Sequence, residues 1–275
     1  MKAADDHPLP EELASQGWYG TFELAPGVET PGWFDLRPVA PKLPFPRDMS
    51  GMRCLDVGTF EGFWALEMHR RGAREVLGID ILDPWHWDWP VGSDEAVVRA
   101  LEERKRGGAG FETVRAALDH SVERRELSAY DIDESAIGRF DFVYVGSLLV
   151  HLRDPVRALE RVRSVLDGHL LLCDLVHLPN SLRRPRTPMA QLDGRGRPWW
   201  WRPNLAALLR LAEAAGFERA ARPRLVFLPP GAAHPRPSLR AAAVLRTLGT
   251  SEGRELLFAS RFGAPHVALL LRPRR

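Results

Sequence analysis

The sequence predicts an α/β fold: a doubly wound, mostly parallel sheet of seven strands with an N-terminal arm and a substrate-side insertion. Three observations predict it. Short apolar runs alternate with amphipathic helical stretches from about residue 52 to the C-terminus. The first run, Cys54 to Val57, enters a glycine-punctuated turn, Gly58-Thr59-Phe60-Glu61-Gly62, that opens a helical pattern at Phe63. The second run, Val76 to Ile79, ends in an acid, Asp80, placed about twenty residues beyond the turn.

Taken in order, residues 1–50 are rich in Pro, Gly and aromatics, too apolar for a disordered tail and too broken for a long helix. They read as an ordered arm over the ligand edge of the sheet, with Trp18, Tyr19 and Trp33 as substrate-side candidates; any one of these aromatics also reads as plain core packing. Residues 51–275 form the domain. After Asp80 the loop Asp83-Pro84-Trp85-His86-Trp87-Asp88-Trp89-Pro90 suggests a pocket wall, with Trp85 and His86 facing substrate. Ser93 to Arg106 reads as a helix capped by Ser93, ended by Gly107-Gly108-Ala109-Gly110. Phe111 to Leu118 is a short helix, Val122 to Leu127 the third strand, and Phe140 to Gly146 the fourth. Pro155 to Leu166 is a helix with proline in its first turn, and Gly168 to Val176 the fifth strand. Residues 177–203 break the pattern with Arg183, Arg184, Arg186, Arg195 and Arg197, then Trp199-Trp200-Trp201. This insertion supplies Trp199 and Trp200 to the substrate side. Asn204 to Ala215 is an amphipathic helix with Gly216 as C-cap. Leu225 to Leu228 is the sixth strand, Leu239 to Leu248 a helix, and His266 to Leu271 the seventh strand.

No stretch approaches the ~18 uninterrupted apolar residues of a membrane span, and the N-terminus lacks an apolar signal core. A cytoplasmic location is expected. The two cysteines, Cys54 and Cys173, each sit inside an apolar strand and read as buried free thiols. The net charge of +2 hides an asymmetry: residues 181–275 hold 18 Arg and 5 acids, so that third carries +13 and the rest −11. A basic third suits an anionic substrate or RNA, and equally an arginine-rich solvated surface.

Gly58 and Gly62 let the backbone turn tightly and approach a ligand. The helix beginning near Gly62 points free N–H groups into the turn, and Asp80 sits where such folds hold a ribose hydroxyl. The turn lacks the full G-x-G-x-x-G and contains Glu61, so a nucleoside without phosphates suits it better than a pyrophosphate. Leu55-Asp56-Val57-Gly58-x-x-x-Gly62 with Asp80 resembles motif I and the following acid of the class I S-adenosylmethionine (SAM) methyltransferases, which have a Rossmann-like sheet. That resemblance implies SAM as cofactor, held by Asp56, Gly58, Thr59, Phe60, Gly62, Asp80, Ile81 and Gly146. It also implies an acid after the third strand for the adenine amino group: Asp131, flanked by Tyr130 and Ile132, with Asp133 as competitor. Phe140-Asp141-Phe142-Val143, Gly146-Ser147-Leu148-Leu149-Val150-His151-Leu152-Arg153-Asp154-Pro155, Trp201-x-Pro203-Asn204 and Ala215-Gly216-Phe217 are similar to a narrower group. That group contains the bacterial tRNA wobble-uridine methyltransferase-like proteins, whose best-known member transfers a carboxymethyl group from carboxy-SAM. There a Tyr precedes the His of the strand-four loop; here that position is Val150, which cannot hydrogen-bond a carboxylate. The long helical N-terminal extension of that enzyme is absent too, so ordinary SAM and another substrate are expected.

Methyl transfer needs a base only when the nucleophile has a proton to lose. His151, at the exit of the fourth strand, has the right chemistry for that and is the catalytic candidate; a lone His there also reads as a turn cap. His86, Asp174 and His177 are secondary candidates, and no carboxylate-rich metal set is present. The function expected is a SAM-dependent methyltransferase acting on a small organic acceptor in specialised, natural-product metabolism. The alternatives are a tRNA- or RNA-modifying methyltransferase and a non-catalytic SAM-binding protein.

Overall fold

The structure, a computed structural model, describes residues 16–192, 199–235 and 251–274. The arm carries four short strands. β1 (Trp18–Gly20) pairs in parallel with β4 (Gly32–Phe34), and β2 (Glu23–Ala25) pairs antiparallel with β3 (Val28–Glu29). Beyond it lie β5 (Arg53–Val57), α1 (Phe63–Arg70), β6 (Glu75–Asp80), α2 (Glu95–Lys105), α3 (Ala109–Leu118) and β7 (Glu123–Glu126). Then come α4 (Glu134–Ile137), β8 (Phe140–Gly146), α5 (Pro155–Ser164), β9 (Leu166–Leu175) and α6 (Leu178–Arg183). The remainder is the hairpin β10 (Ala190–Leu192) and β11 (Trp201–Pro203), followed by α7 (Leu205–Ala214), β12 (Phe217–Arg219), β13 (Arg224–Leu228), α8 (Ser251–Phe262) and β14 (Ala264–Pro273).

The main sheet has the order β12-β14-β9-β8-β5-β6-β7, with β13 also paired to β14. β9, β8, β5, β6 and β7 run parallel, and β14 lies antiparallel between β9 and the β12 and β13 strands. Chain order reverses at β5, which places a crevice at the C-terminal ends of β5 and β8, where open α/β sheets bind ligands. Because β14 is antiparallel, it delivers its first residues, not its last, to that same edge.

The parallel strands are buried on both faces, which explains their near-continuous apolar runs. Cys54, Phe142, Tyr144, Leu171 and Cys173 face one core with Ala65, Leu66 and Met68 of α1, Phe111 of α3 and the arm's Trp18 and Phe22. Leu55, Val57, Val143, Val145 and Leu172 face the other, against Ala158, Leu159 and Val162 of α5 and Leu208 of α7. This is the period-two alternation of a strand between two layers. Among the described residues no helix is long and apolar enough to cross a membrane.

Several local expectations are corrected. The sheet has an eighth strand, β12, whose three residues directly after Gly216 are too short to give a strand signal. Helix α2 begins at Glu95 with Asp94 as its cap, the carboxylate accepting Ala96 N–H at 2.9 Å. Ser93 is not the cap, because its hydroxyl donates to Pro90 O at 2.7 Å. Helix α5 stops at Ser164 because Leu166 already belongs to β9. The helix expected over 239–248 lies outside the described residues.

Candidate active site

Asp56 at the end of β5 is buried and shapes the turn from behind. Its Oδ2 accepts the Thr59 hydroxyl at 2.7 Å and Ala65 N–H at 3.1 Å. Burial pushes this carboxyl up to about 7, against the pull of those two donors. Gly58 has φ +77°, and a Cβ there would stand 3.3 Å from Leu148. Gly62 has φ +87°, with a virtual Cβ 2.8 Å from the Phe111 ring. Both positions therefore require glycine. Glu61 ties down the arm: its carboxyl group accepts Tyr19 N–H at 2.9 Å and Gly20 N–H at 3.4 Å. Burial raises it to about 8.

Asp80 is more heavily engaged than expected. Oδ2 accepts Phe60 N–H at 3.1 Å and Oδ1 accepts Ile81 N–H at 2.8 Å. Oδ2 also meets the Lys105 ammonium at 2.6 Å, whose side chain is 2% exposed. That ammonium lies 4.4 Å from the Phe60 ring centroid and 5.1 Å from that of Trp87, both within cation–π reach. Lys105 was missed in sequence because Glu102-Glu103-Arg104-Lys105-Arg106 reads as a solvated helix face.

The β8 exit loop is built on Asp174 of β9. Its Oδ2 accepts Leu148 N–H and Leu149 N–H at 2.9 and 2.8 Å, and its Oδ1 accepts Leu175 N–H at 2.8 Å. Burial lifts this carboxyl to about 6. Asp174 thus holds the loop that carries His151 and does not line the cavity. Ser147, between Gly146 and that loop, has φ +52°. Its Oγ lies 3.0 Å from His266 Nε2, and His266 Nδ1 lies 3.0 Å from Ala264 O.

These elements surround one cavity of about 1730 Å³. Of the expected cofactor residues, Gly58, Phe60, Asp80, Ile81, Tyr130 and Gly146 line it. Asp56, Thr59 and Gly62 do not; they hold the turn from the protein side. Ile132 is a core residue, fully buried. Asp131 is exposed, and Asp133 caps α4 by accepting Ser135 N–H at 2.9 Å. The cavity wall after β7 is instead Leu127, Ser128, Ala129 and Tyr130. Tyr130 donates to Asp88 Oδ2 at 2.7 Å and accepts Asp154 N–H at 3.0 Å, clamping the tryptophan loop to the start of α5.

On the substrate side, Tyr19, Trp33, His86, Trp199, His151 and His177 line the cavity. Trp18 does not: it is 0% exposed and packs in the core. Trp85 turns outward and donates to Glu102 Oε2 at 2.9 Å; Trp87 takes the wall position. Trp200 stands behind the wall, its backbone N–H donating to Val150 O at 2.7 Å and its indole N–H to Asp88 O. Of the insertion arginines Arg183 lines the cavity, Arg184 and Arg186 do not, and Arg195 and Arg197 lie outside the described residues. Sequence reasoning missed Ser147 as well as His266, which sits 119 positions further on.

The sequence model of the methyltransferase domain family matches residues 35–221. No curated protein matches the sequence. Among solved structures the chain is similar to the N-terminal domain of EvdMO1, determined in the presence of SAH and D-fucose. The identity is 19% over 96% of this chain and 94% of that one, with a TM-score of 0.51. It is also similar to magnesium protoporphyrin IX methyltransferase from Synechocystis PCC 6803 with bound SAH. There the identity is 13% over 86% of this chain and 81% of that one, with a TM-score of 0.50. At these identities the likeness is one of fold.

Proposed function

The chain belongs to the methyltransferase domain family, and from that premise we propose that it transfers a methyl group from SAM to a small anionic organic acceptor. The observation that carries this reading is the shared cavity. At about 1730 Å³ it exceeds the ~300–1,000 Å³ of a pocket for one drug-sized ligand. It also runs without a break from the donor turn to the insertion.

The residues present fit the donor. Gly58, at φ +77°, keeps the turn tight at the cavity wall, Asp80 offers carboxylate oxygens for the ribose, and Ile81, Leu127 and Ala129 form an apolar slot for the base. When bound, SAM supplies an electrophilic methyl on a sulfonium, and the electron pair of the broken bond stays on sulfur. Val150, buried and without a polar atom, offers nothing to the extra carboxylate of carboxy-SAM. Trp33, Trp87 and Trp199 exclude water from the far side, and His151 faces the acceptor.

Charge supports an anionic acceptor. Arg104 and Arg183 line the cavity, and of its acids Asp80 is already balanced by Lys105. A second reading, RNA modification, draws on the +13 third of the chain and on the motifs shared with the wobble-uridine group. Several of those arginines are taken up by local pairs such as Arg272–Glu218 at 2.7 Å and Arg210–Glu213 at 3.7 Å. A screen with methyl-labelled SAM tests the choice: label should pass to a small carboxylate- or phosphate-bearing metabolite and not to tRNA. Submicromolar, steeply salt-dependent tRNA binding together with tRNA labelling would reverse it.

A further inference from the structure

At the end of β8 a pair of hydrogen-bonding side chains joins the exit loop to the antiparallel strand, with Tyr19 of the arm on the same cavity wall. Ser147 Oγ lies 3.0 Å from His266 Nε2. His266 Nδ1 lies 3.0 Å from Ala264 O. A carbonyl only accepts, so Nδ1 carries the imidazole proton and Nε2 is left as an acceptor. Ser147 therefore donates to His266. All three residues line the cavity. Ser147 is held at φ +52°, a region a non-glycine residue occupies only under constraint from its surroundings.

We propose that Ser147, backed by His266 and flanked by Tyr19, takes the proton from the acceptor's attacking O–H or N–H group, an inference that rests on the methyl-transfer reading above. As the acceptor's lone pair forms the new bond to carbon, its proton passes to Ser147 Oγ. The serine's own proton passes to His266 Nε2 in the same movement. The imidazolium that results later returns its proton to solvent, and Ser147 is restored. Charge balances, because the sulfonium's positive charge disappears as the imidazolium's appears. Ser147 is the group that meets the acceptor; His266 acts through it, and Tyr19 flanks it.

The surroundings suit such a late proton transfer. Burial lowers the His266 imidazole to about 4, partly opposed by its bond to Ala264 O. The ring is thus neutral, with Nε2 free of a proton, at any ordinary working pH. A weak base is sufficient here, since the nucleophile's proton becomes strongly acidic only once the new bond is forming. The titratable groups acting on Tyr19 include Asp174 and Cys173 of β9 and Glu61 of the turn, and Tyr144 of β8 lies beside the same residues. His234 and Arg254 line the same cavity.

The test uses the full-length protein labelled with 15N at histidine, with and without SAH. Long-range 1H–15N spectra between about pH 5 and 8 should show His266 neutral and protonated on Nδ1 throughout. Its Nε2 resonance should move in Ser147→Ala, which removes the donor. With labelled SAM and an acceptor from the screen, Ser147→Ala should lower kcat by ~10²-fold or more while SAH affinity and donor KM stay unchanged. His266→Gln should lower kcat similarly, and Tyr19→Phe less. A His266 protonated on Nε2, or full turnover in Ser147→Ala, would overturn the proposal. Failure of the wild-type protein to bind SAM or SAH would instead count against the methyltransferase reading. The tautomer in the ligand-free protein would still decide whether the hydrogen bond from Ser147 to His266 exists.

Discussion

The contact between Asp80 and Lys105 shows how one residue alters a site. Both side chains are largely buried, at 11% and 2% exposed, so the pair is costly to break from one side. Lys105→Met should lower unfolding stability by about 3 kcal/mol, toward the low end for an opened buried pair, because Phe60 N–H and Ile81 N–H still serve the carboxylate. Urea denaturation measures this, and an unchanged midpoint would mean that the pair contributes nothing. His151→Ala should leave SAH affinity intact and lower turnover by ~10²-fold through loss of acceptor orientation; wild-type turnover would make His151 structural. Glu61, Asp56 and Asp174 carry a pH signature. Burial raises each of them in the folded state, to about 8, 7 and 6. Between the unfolded value near ~4 and those values, the folded protein holds protons that the unfolded chain has lost. The contribution of these three groups is then greatest on the acid side and falls as pH rises, by up to ~1.4 kcal/mol per pH unit for each group still titrating. Glu61→Gln should flatten that fall between pH 5 and 8, and an unchanged slope would remove Glu61 from it.

At the scale of elements, the β5–turn–α1–β6 unit was legible because its signals are local: an apolar run, two glycines at fixed offsets and an acid at the next strand end. Gly62→Ala tests that unit. With φ at +87° and Phe111 in the way, it should cost about 1–3 kcal/mol, seen as a lowered Tm, whereas a neutral effect would mean the turn relaxes freely. Other elements were illegible for physical reasons. The arm's aromatics looked alike in sequence, yet β1 alternates its faces, so Trp18 enters the core while Tyr19 faces the cavity. Asp131 follows a tight turn in which Tyr130, and not the acid, reaches the cavity wall. His266 could not be tied to Ser147, because only the antiparallel return of β14 brings its first residues to the ligand edge.

At the scale of the whole molecule the main sheet lies between two cores, and the free, buried thiols expected from the two apolar strands are found. Cys54 on β5 and Cys173 on β9 are free, buried and kept apart by β8. Burial pushes the Cys54 thiol up to about 12 and Cys173 upward as well. A thiol reagent at pH 8 should label neither until the protein unfolds; rapid labelling of the native protein would mean that this core opens readily. The cavity at the sheet's ligand edge is where the whole fold converges, and donor binding at Asp80 is the claim on which the rest depends. The most direct measurement is calorimetric titration of SAH into the wild-type protein and Asp80→Ala. One saturable site is predicted in the wild type, with affinity lowered ~10-fold or more in the variant as the ribose loses its charged acceptor. Equal affinity in the two proteins, or no binding to the wild type, would contradict the account.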